Sequence, residues 1–335
     1  MSRLTPAEEM RLLTKVSKLY YEENLTQDEI VARLHLSRSK VSRLLQQARD
    51  VGIIKITVLS PPGLYPDLES ELETRYHLQE AIVIETREPE SQQVVARELG
   101  VAAAHYLLRT LEDHDVIGIS WGTTLNHMVA ALQPRRVPDA HVVQIIGGLG
   151  KPEAEVHATD LCRRLAQLLQ CKLTLLPAPG IVDHEQVKSA ILSDSHVHRA
   201  FELFSQITVA YVGIGAPTPD SVLIRDGTIL TWQEVNDLIS KGAVGDIALR
   251  FFDEDGQPIA SEVDQRVIGI SLEQLRHVRR VVGVAGGPQK VAVLRGALRG
   301  RLINVLITDH VTAVRLLEKE PQATSAVIGE TNVVP

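Results

Sequence analysis

The sequence predicts an α/β chain in two unequal parts: a small N-terminal helix-turn-helix domain over 1–59, a linker at 60–63, and a large α/β domain over 64–335. Three observations predict it. The chain opens on a basic stretch with two hydroxyl N-cap signals. A Ser60-Pro61-Pro62-Gly63 break follows, stiffened by proline and turned by glycine. From Ser91 onward, helix-type and strand-type patterns alternate, which is the pattern of a mainly parallel sheet. A length of 335 residues suits two domains, at roughly 100–200 residues each.

Pro6–Glu23 reads as a helix, with Leu12, Leu13, Val16, Leu19 and Tyr20 at helical spacing. Asn24-Leu25 breaks it. Thr26 then has Glu29 three residues on, a capping box that opens a short helix, Gln27–Leu34, with Ile30, Val31 and Leu34 on one face. Ser37 is a second N-cap and opens Arg38–Val51, with Val41, Leu44, Leu45 and Ala48 as its apolar stripe. Two short helices joined by a tight turn, the second one basic, form a helix-turn-helix arrangement. In that geometry the start of the second helix enters a major groove of double-stranded DNA. Ser37, Arg38, Ser39, Lys40, Ser42 and Arg43 are then the contact candidates, with Thr26 and Gln27 near phosphates. The plainer alternative is a helical hairpin used for packing. Gly52 ends the second helix, and Ile53–Val58 reads as a strand, one arm of a wing.

Charge supports the division. The net formal charge of −7 is unfavourable for nucleic acid when taken over the whole chain. Residues 1–58, however, carry ten basic and seven acidic side chains, which leaves −10 on the rest. Between Ile30 and Arg49 there is no acidic residue. A basic head on an acidic body is the footprint of a nucleic-acid module joined to something else.

In the large part, Leu68–Tyr76 reads as a helix and Glu80–Glu85 as a strand. The strands expected after it are Val116–Ser120, Val142–Ile146, Leu173–Leu176, Val209–Ile214, Ile247–Phe252, Arg280–Val284 and Ile303–Thr308. Helices fill the gaps: Ser91–Leu108, Glu155–Leu169, Glu185–Leu192, Trp232–Lys241, Gln289–Leu298 and Val311–Glu318. Ligands of such sheets sit outside the carboxyl ends of the strands. The first strand of this series runs into Ser120-Trp121-Gly122-Thr123-Thr124, where a glycine turn, two hydroxyls and helix N-terminal amides suit an anion. Gly147-Gly148-Leu149-Gly150 ends the second, Gly213-Ile214-Gly215 a later one, and Gly286-Gly287-Pro288-Gln289-Lys290 the penultimate one. Four such loops, one with hydroxyls and one with a lysine, point to a phosphate-bearing ligand. Neither a P-loop nor a Gly-x-Gly-x-x-Gly turn occurs. Asp246, at the mouth of a strand, is the carboxylate candidate for a sugar's hydroxyls, and Gln144 is a second; a turn-capping aspartate is the alternative for Asp246.

Several classes are excluded by composition. Apolar runs such as Ile207–Pro219 are too short to cross a bilayer, which takes about 20 residues, and the first residues lack a signal-peptide core. Cys162 and Cys171 read as reduced packing residues of a cytoplasmic protein. The histidines form no metal pattern: His196 and His198 stand two apart on an expected surface turn. No cofactor and no metal are expected.

Together these motifs resemble the SorC family of bacterial transcription regulators, the sugar-binding regulators related to the central glycolytic gene, deoxyribonucleoside and sorbose operon regulators. The head sequence, Ser-Trp-Gly-Thr-Thr, Gly-Gly-Leu-Gly, Val-Gly-Ile-Gly, Gly-Asp-Ile, Ala-Gly-Gly-x-x-Lys and Leu-Ile-Asn-Val-Leu-Ile-Thr-Asp occur in the family's order over residues 8–318. The resemblance implies a C-terminal domain similar to the glucosamine-6-phosphate deaminase and ribose-phosphate isomerase fold, used as a sensor of a phosphorylated sugar. It also implies a homo-tetramer built as a dimer of dimers. Position by position, Gly122, Thr123 and Thr124 match the family's first phosphate loop, Gly147 and Gly148 its second, Lys290 the phosphate-neutralising lysine and Asp246 a sugar-contacting aspartate. Gln144 lies where family members vary.

The fold's enzymatic relatives make an isomerase or deaminase with an appended DNA-binding head the competing reading. Such chemistry needs a general base at the substrate C2 hydrogen. The isomerase runs Asp-Gly-Ala-Asp-Glu and Lys-Gly-Gly-Gly-Gly are absent, as is the deaminases' Asp-Gly-His segment; the comparable stretch is Gly-Asp-Ile-Ala-Leu-Arg-Phe-Phe-Asp. The residues therefore favour a regulator over an enzyme.

Overall fold

Three helices, each opened by a hydroxyl N-cap, make up the first of two units, Met1–Pro61 and Pro62–Pro335. The computed structural model describes residues 5–57, 59–148, 152–218, 223 and 229–318, with side chains of 152–158 left aside. Thr5 and Glu8 close a capping box on α1 (Pro6–Tyr21), and Thr26 and Glu29 close another on α2 (Gln27–Leu34). Ser37 caps α3 (Arg38–Asp50) by accepting from the Lys40 amide at 3.3 Å. The α2–α3 turn needs a left-handed residue, and His35 takes it at φ 54°. Leu13, Val16, Leu19, Ile30, Val41, Leu44, Leu45 and Ala48 form this unit's own core. Those residues are the apolar stripes of the sequence, so the periodicity alone sets which faces meet.

The expected wing strand is corrected. Residues 53–57 are not strand. Ile53 and Ile54 instead fold back on the three-helix core, with the Ile54 amide donating to Ala48 O at 3.1 Å. No neighbouring strand is there to pair with them among the described residues, and burial of two isoleucines decides their course. Val58 lies outside the described residues.

The second unit is built on seven parallel strands: β1 (Glu80–Ile84), β2 (Val116–Ile119), β3 (His141–Gln144), β4 (Lys172–Thr174), β5 (Val209–Gly213), β8 (Arg280–Val284) and β9 (Val305–Asp309). Between β5 and β8 the chain adds a separate antiparallel hairpin, β6 (Gly245–Ile247) and β7 (Arg250–Phe252). The sheet order is β1-β9-β8-β5-β2-β3-β4. From β2 the chain builds outward through β3 and β4; from β5 it builds the other way through β8 and β9. The order therefore reverses between β2 and β5, and their carboxyl ends face the same crevice.

Alternate strand residues feed two cores. Ile117, Ile119, Val142, Tyr211, Val282 and Ile307 face one side, with α5 (Gln92–Thr110), α6 (Thr123–Ala131) and α7 (Pro152–Leu169). Val143, Ala210, Val212, Val281 and Leu306 face the other. That side is covered by α4 (Pro66–Tyr76), α8 (Glu185–Leu192), α9 (Ser195–Glu202), α10 (Trp232–Ser240), α11 (Glu262–Arg266), α12 (Leu272–Arg276), α13 (Val291–Arg299) and α14 (His310–Leu317). A strand buried on both faces reads as a continuous apolar run, as Val209–Val212 of β5 does. The edge strand β1 is kept from further pairing by α4, whose Glu69 and Glu73 carboxylates accept the Val83 and Ala81 amides at 2.9 Å.

Two more expectations change. The single strand expected over Ile247–Phe252 is instead the end of β6, a turn at Ala248-Leu249 and the whole of β7, because β6 pairs back on β7 and also bridges Gly215. His196 and His198 lie on α9, not on a surface turn; Asp194 caps that helix by accepting the His196 amide at 2.8 Å. Cys162 is buried in α7, where burial pushes its thiol up to about 12. Among the described residues, no helix is long and apolar enough to cross a membrane.

Candidate functional site

A cleft of about 400 Å³ opens at the reversal point of the sheet, lined by the loops that leave β2, β5 and β8 and by the start of α5. Its volume is in the range of small-molecule sites. One wall is the N-terminus of α6. Gly122 precedes that helix at φ 141° and ψ 157°, backbone that only glycine takes without strain. No side chain caps the helix, and the amides of Thr123, Thr124 and Leu125 donate to no acceptor among the described residues. They are left with the helix dipole toward the cleft, an arrangement that favours an anion. The β2 and β5 ends are tied together by Ser120, whose Oγ accepts the Gly213 amide at 3.2 Å.

The opposite wall holds two side chains of opposite sign, the buried Asp246 and the half-buried Lys290. Asp246, on β6, is only 6% exposed. Burial pushes its carboxyl up to about 6, against the Leu249 N–H and the Lys290 charge, which pull it down. The Leu249 amide donates to Oδ2 at 3.0 Å, while no donor among the described residues reaches Oδ1. Lys290 follows β8 through Gly286-Gly287; its Nζ donates to Ile214 O at 2.8 Å. Burial lowers its ammonium, and the Asp246 carboxylate partly offsets that. Gly215 makes this packing possible: a Cβ there would stand 2.0 Å from Asp246 Oδ1. The arrangement offers helix amides and a cation for a charged oxyanion, and a carboxylate able to accept from hydroxyls.

The cleft thus gathers Gly122, Thr123, Thr124, Asp246 and Lys290. It does not gather Gly147, Gly148 or Gln144. The Gly147 and Gly148 amides donate to Ile268 O at 3.1 Å and Ala178 O at 2.9 Å. A Cβ on Gly147 would meet Ala178 O at 2.4 Å, so this glycine serves the close approach of two backbone segments. Gln144 is buried, donates to Ile146 O at 2.8 Å, and leaves Oε1 without a donor among the described residues. Leu149 and Gly150 lie outside the described residues. Sequence reasoning missed Gln92, Gln93 and Thr218 in the lining. Gln92 follows a capping serine on a different βα unit and donates to Gly286 O at 3.2 Å. Its only sequence signal was its place at a helix start after a strand.

In the first unit, Ser37, Arg38, Ser39, Lys40, Ser42 and Arg43 are all exposed along the start of α3, Thr26 is exposed, and Gln27 is half-buried. The Thr26 and Ser37 hydroxyls serve their caps. Arg38 stands 3.7 Å from Asp28, both more than two-thirds exposed, and such a pair holds a side chain weakly.

The comparisons with known proteins agree with one another. A family model described as "Putative sugar-binding domain" matches residues 62–318. A deoxyribonucleoside regulator from Bacillus subtilis is 35% identical over 310 residues, covering 92% of this chain and 98% of its own. The sorbitol operon regulator of Klebsiella pneumoniae is 33% identical over 322 residues, covering 93% and 99%. The crystal structure of that full-length regulator, SorC, superposes with a TM-score of 0.70 over 92% of this chain and 99% of that one. With a domain model that spans most of the sequence and relatives matched nearly from end to end, the chain belongs to the SorC family of transcriptional regulators.

Proposed function

We propose that the chain is a cytoplasmic DNA-binding regulator of a carbohydrate operon whose affinity for DNA is set by a phosphorylated sugar held in the cleft. The observation that carries the phosphate is the pairing of an uncapped α6 N-terminus with Lys290 across one crevice. In this reading the phosphate rests on Gly122, Thr123 and Thr124 with Lys290 as counter-charge, and Asp246 accepts from the sugar's hydroxyls. Gly147, Gly148 and Gln144 are left to backbone packing. The first unit is the helix-turn-helix domain, and α3 enters the major groove of operator DNA with Ser37, Arg38, Ser39, Lys40, Ser42 and Arg43, while Thr26 and Gln27 stand at phosphates. The protein works as a homo-tetramer, a dimer of dimers, whose paired heads read a palindrome. The cleft is a sensor and not a catalytic site: Asp246 is the one carboxylate among its described lining residues, and it is engaged by the Leu249 amide. Ligand binding shifts the DNA equilibrium by its difference in affinity for two conformations.

Thermal denaturation with a panel of sugar phosphates and their unphosphorylated counterparts tests this. A ligand at one hundred times its Kd adds about 2.7 kcal/mol, a rise of roughly 5–10 °C in Tm for a domain of this size. The expected result is a rise with at least one sugar phosphate, none with the matching sugar, and none in Lys290→Ala. A rise that Lys290→Ala keeps in full refutes the phosphate assignment.

A further inference from the structure

The hairpin that carries Asp246 turns in an unusual way. Its register pairs Ile247 with Arg250, so Ala248 and Leu249 are the whole loop. Both are left-handed, at φ 52° and 62°. A two-residue loop with both residues at positive φ normally takes Asn-Gly or Asp-Gly, because a Cβ there crowds the following carbonyl. Elsewhere among the described residues, left-handed non-glycine residues stand singly: Asn24, His35, His77, Gln170 and Arg301. Here two are consecutive, one a fully buried leucine, and Ala248 lines the cleft. Strain of this kind persists only where the surroundings over-determine it, and its usual place is a functional site.

Two neighbours do the determining. On the cleft side, Asp246 Oδ2 accepts the Leu249 amide at 3.0 Å, which holds the turn closed. On the far side, Arg250 spreads its guanidinium over the backbone of residues 264–270. It donates to Asp264 O at 2.9 Å, Asp264 Oδ1 at 2.8 Å, Gly269 O at 3.2 Å and Ile270 O at 3.2 Å. That segment in turn bridges Ile146 through Gly269 and Ile181 through Val267. Asp246 Oδ1 meanwhile lies over Gly215 in the cleft, with no donor among the described residues.

We propose that the Ala248–Leu249 turn is a strained positioning element, clamped by Asp246 from the cleft and coupled by Arg250 to residues 264–270, so that a ligand engaging Asp246 resets that segment. Arg250 acts here as a positioning residue: it touches no ligand and carries the turn's position onward. The identity of the ligand rests on the effector reading above; the mechanical coupling does not.

Hydrogen exchange of the full chain tests it, first without ligand. Asp246→Ala removes the clamp, so peptides over 246–252 should exchange roughly tenfold faster or more, and peptides over 264–270 should follow. Asp246→Asn, which keeps an oxygen to accept the Leu249 amide, should restore both. Adding Ala248→Gly to Asp246→Ala removes the crowding and should return part of the protection at 264–270. Protection at 264–270 that ignores Asp246→Ala overturns the coupling, and a double variant no better than the single overturns the strain. Should Asp246→Ala not fold, Arg250→Lys decides: loss at 264–270 with 246–252 intact supports the coupling, and no loss overturns it. In a second arm, ribose 5-phosphate and glucose 6-phosphate are the probes, with inorganic phosphate as control. A probe that protects 246–252 should also alter 264–270 in the wild type and not in Arg250→Lys. If no probe alters the wild type, the effector reading fails for these sugars, and the ligand-free arm still decides the turn.

Discussion

Alanine at position 215 should destabilise the large unit sharply, although it adds a single methyl group. Gly215 and Asp246 exchange both backbone hydrogen bonds, at 2.9 and 3.0 Å, so the two segments are held at a fixed separation. A Cβ on residue 215 would stand 2.0 Å from Asp246 Oδ1 and 3.0 Å from its Cγ. The carboxylate cannot swing away while it stays bound through Oδ2 to the Leu249 amide. Either that hydrogen bond breaks or the backbone pair parts. Overpacking costs about 1–3 kcal/mol, and a hydrogen bond to a charged group contributes about 1.5–3 kcal/mol. The two losses overlap, so the expected cost is about 2–4 kcal/mol, or roughly 4–16 °C in Tm. Calorimetry of wild type, Gly215→Ala, Asp246→Ala and the double variant measures it. Asp246→Ala removes the clashing atom, so the double variant should be less destabilised than the two single effects added, by at least about 1 kcal/mol. A Gly215→Ala melting point within a degree of wild type, or strict additivity in the cycle, would refute the reasoning.

Other outcomes follow from the same geometry. With the Asp246 carboxyl raised to about 6 from 3.8, the folded state binds the proton more tightly than the unfolded chain. Its burial therefore costs nothing below the unfolded value, and the cost grows as pH rises through the window up to about 6. Denaturant titrations should show Asp246→Asn gaining on wild type as pH rises across that window, by an amount on the order of 3 kcal/mol; a pH-independent difference contradicts the burial account. Arg38→Ala with Lys40→Ala should weaken operator binding and lower the slope of log K against log salt by about 2, measured by fluorescence anisotropy. An unchanged slope would remove both residues from the phosphate-contacting set. Thr26→Ala breaks the α2 capping box and should cost about 1 kcal/mol, read as a lower melting point of the N-terminal unit by near-ultraviolet dichroism.

Much of this architecture was legible because it depends on neighbours in sequence. The second and third N-terminal helices begin where Thr26 and Ser37 stand, and all three bury the stripes their spacing marks out, since hydroxyl caps and a 3.6-residue period act within one or two turns. The central strands are apolar runs because both their faces are covered. The loops after β2, β5 and β8, which line one cleft, could be flagged as candidate ligand loops from glycine, hydroxyl and lysine at strand ends. The hairpin at 245–252 was not legible: Ala248-Leu249 carries no turn signal, and only the tertiary contacts of Asp246 and Arg250 hold it there.

The Gly147-Gly148 pair shows the same limit from the other side. Its glycines resemble those of a ligand loop, yet they permit the close approach of 178–179 and the pairing with Ile268, partners that no local pattern reveals. By itself, then, the sequence determined the division into a basic helical head and an α/β body, the apolar faces, and the chemistry available at each strand end. Only the tertiary structure decided which of those strand ends share a crevice, because that depends on where the strand order reverses between β2 and β5. It alone also placed Asp246 against Gly215 and within the field of Lys290, partners 31 and 44 positions away in sequence whose energy exists only once the sheet has formed.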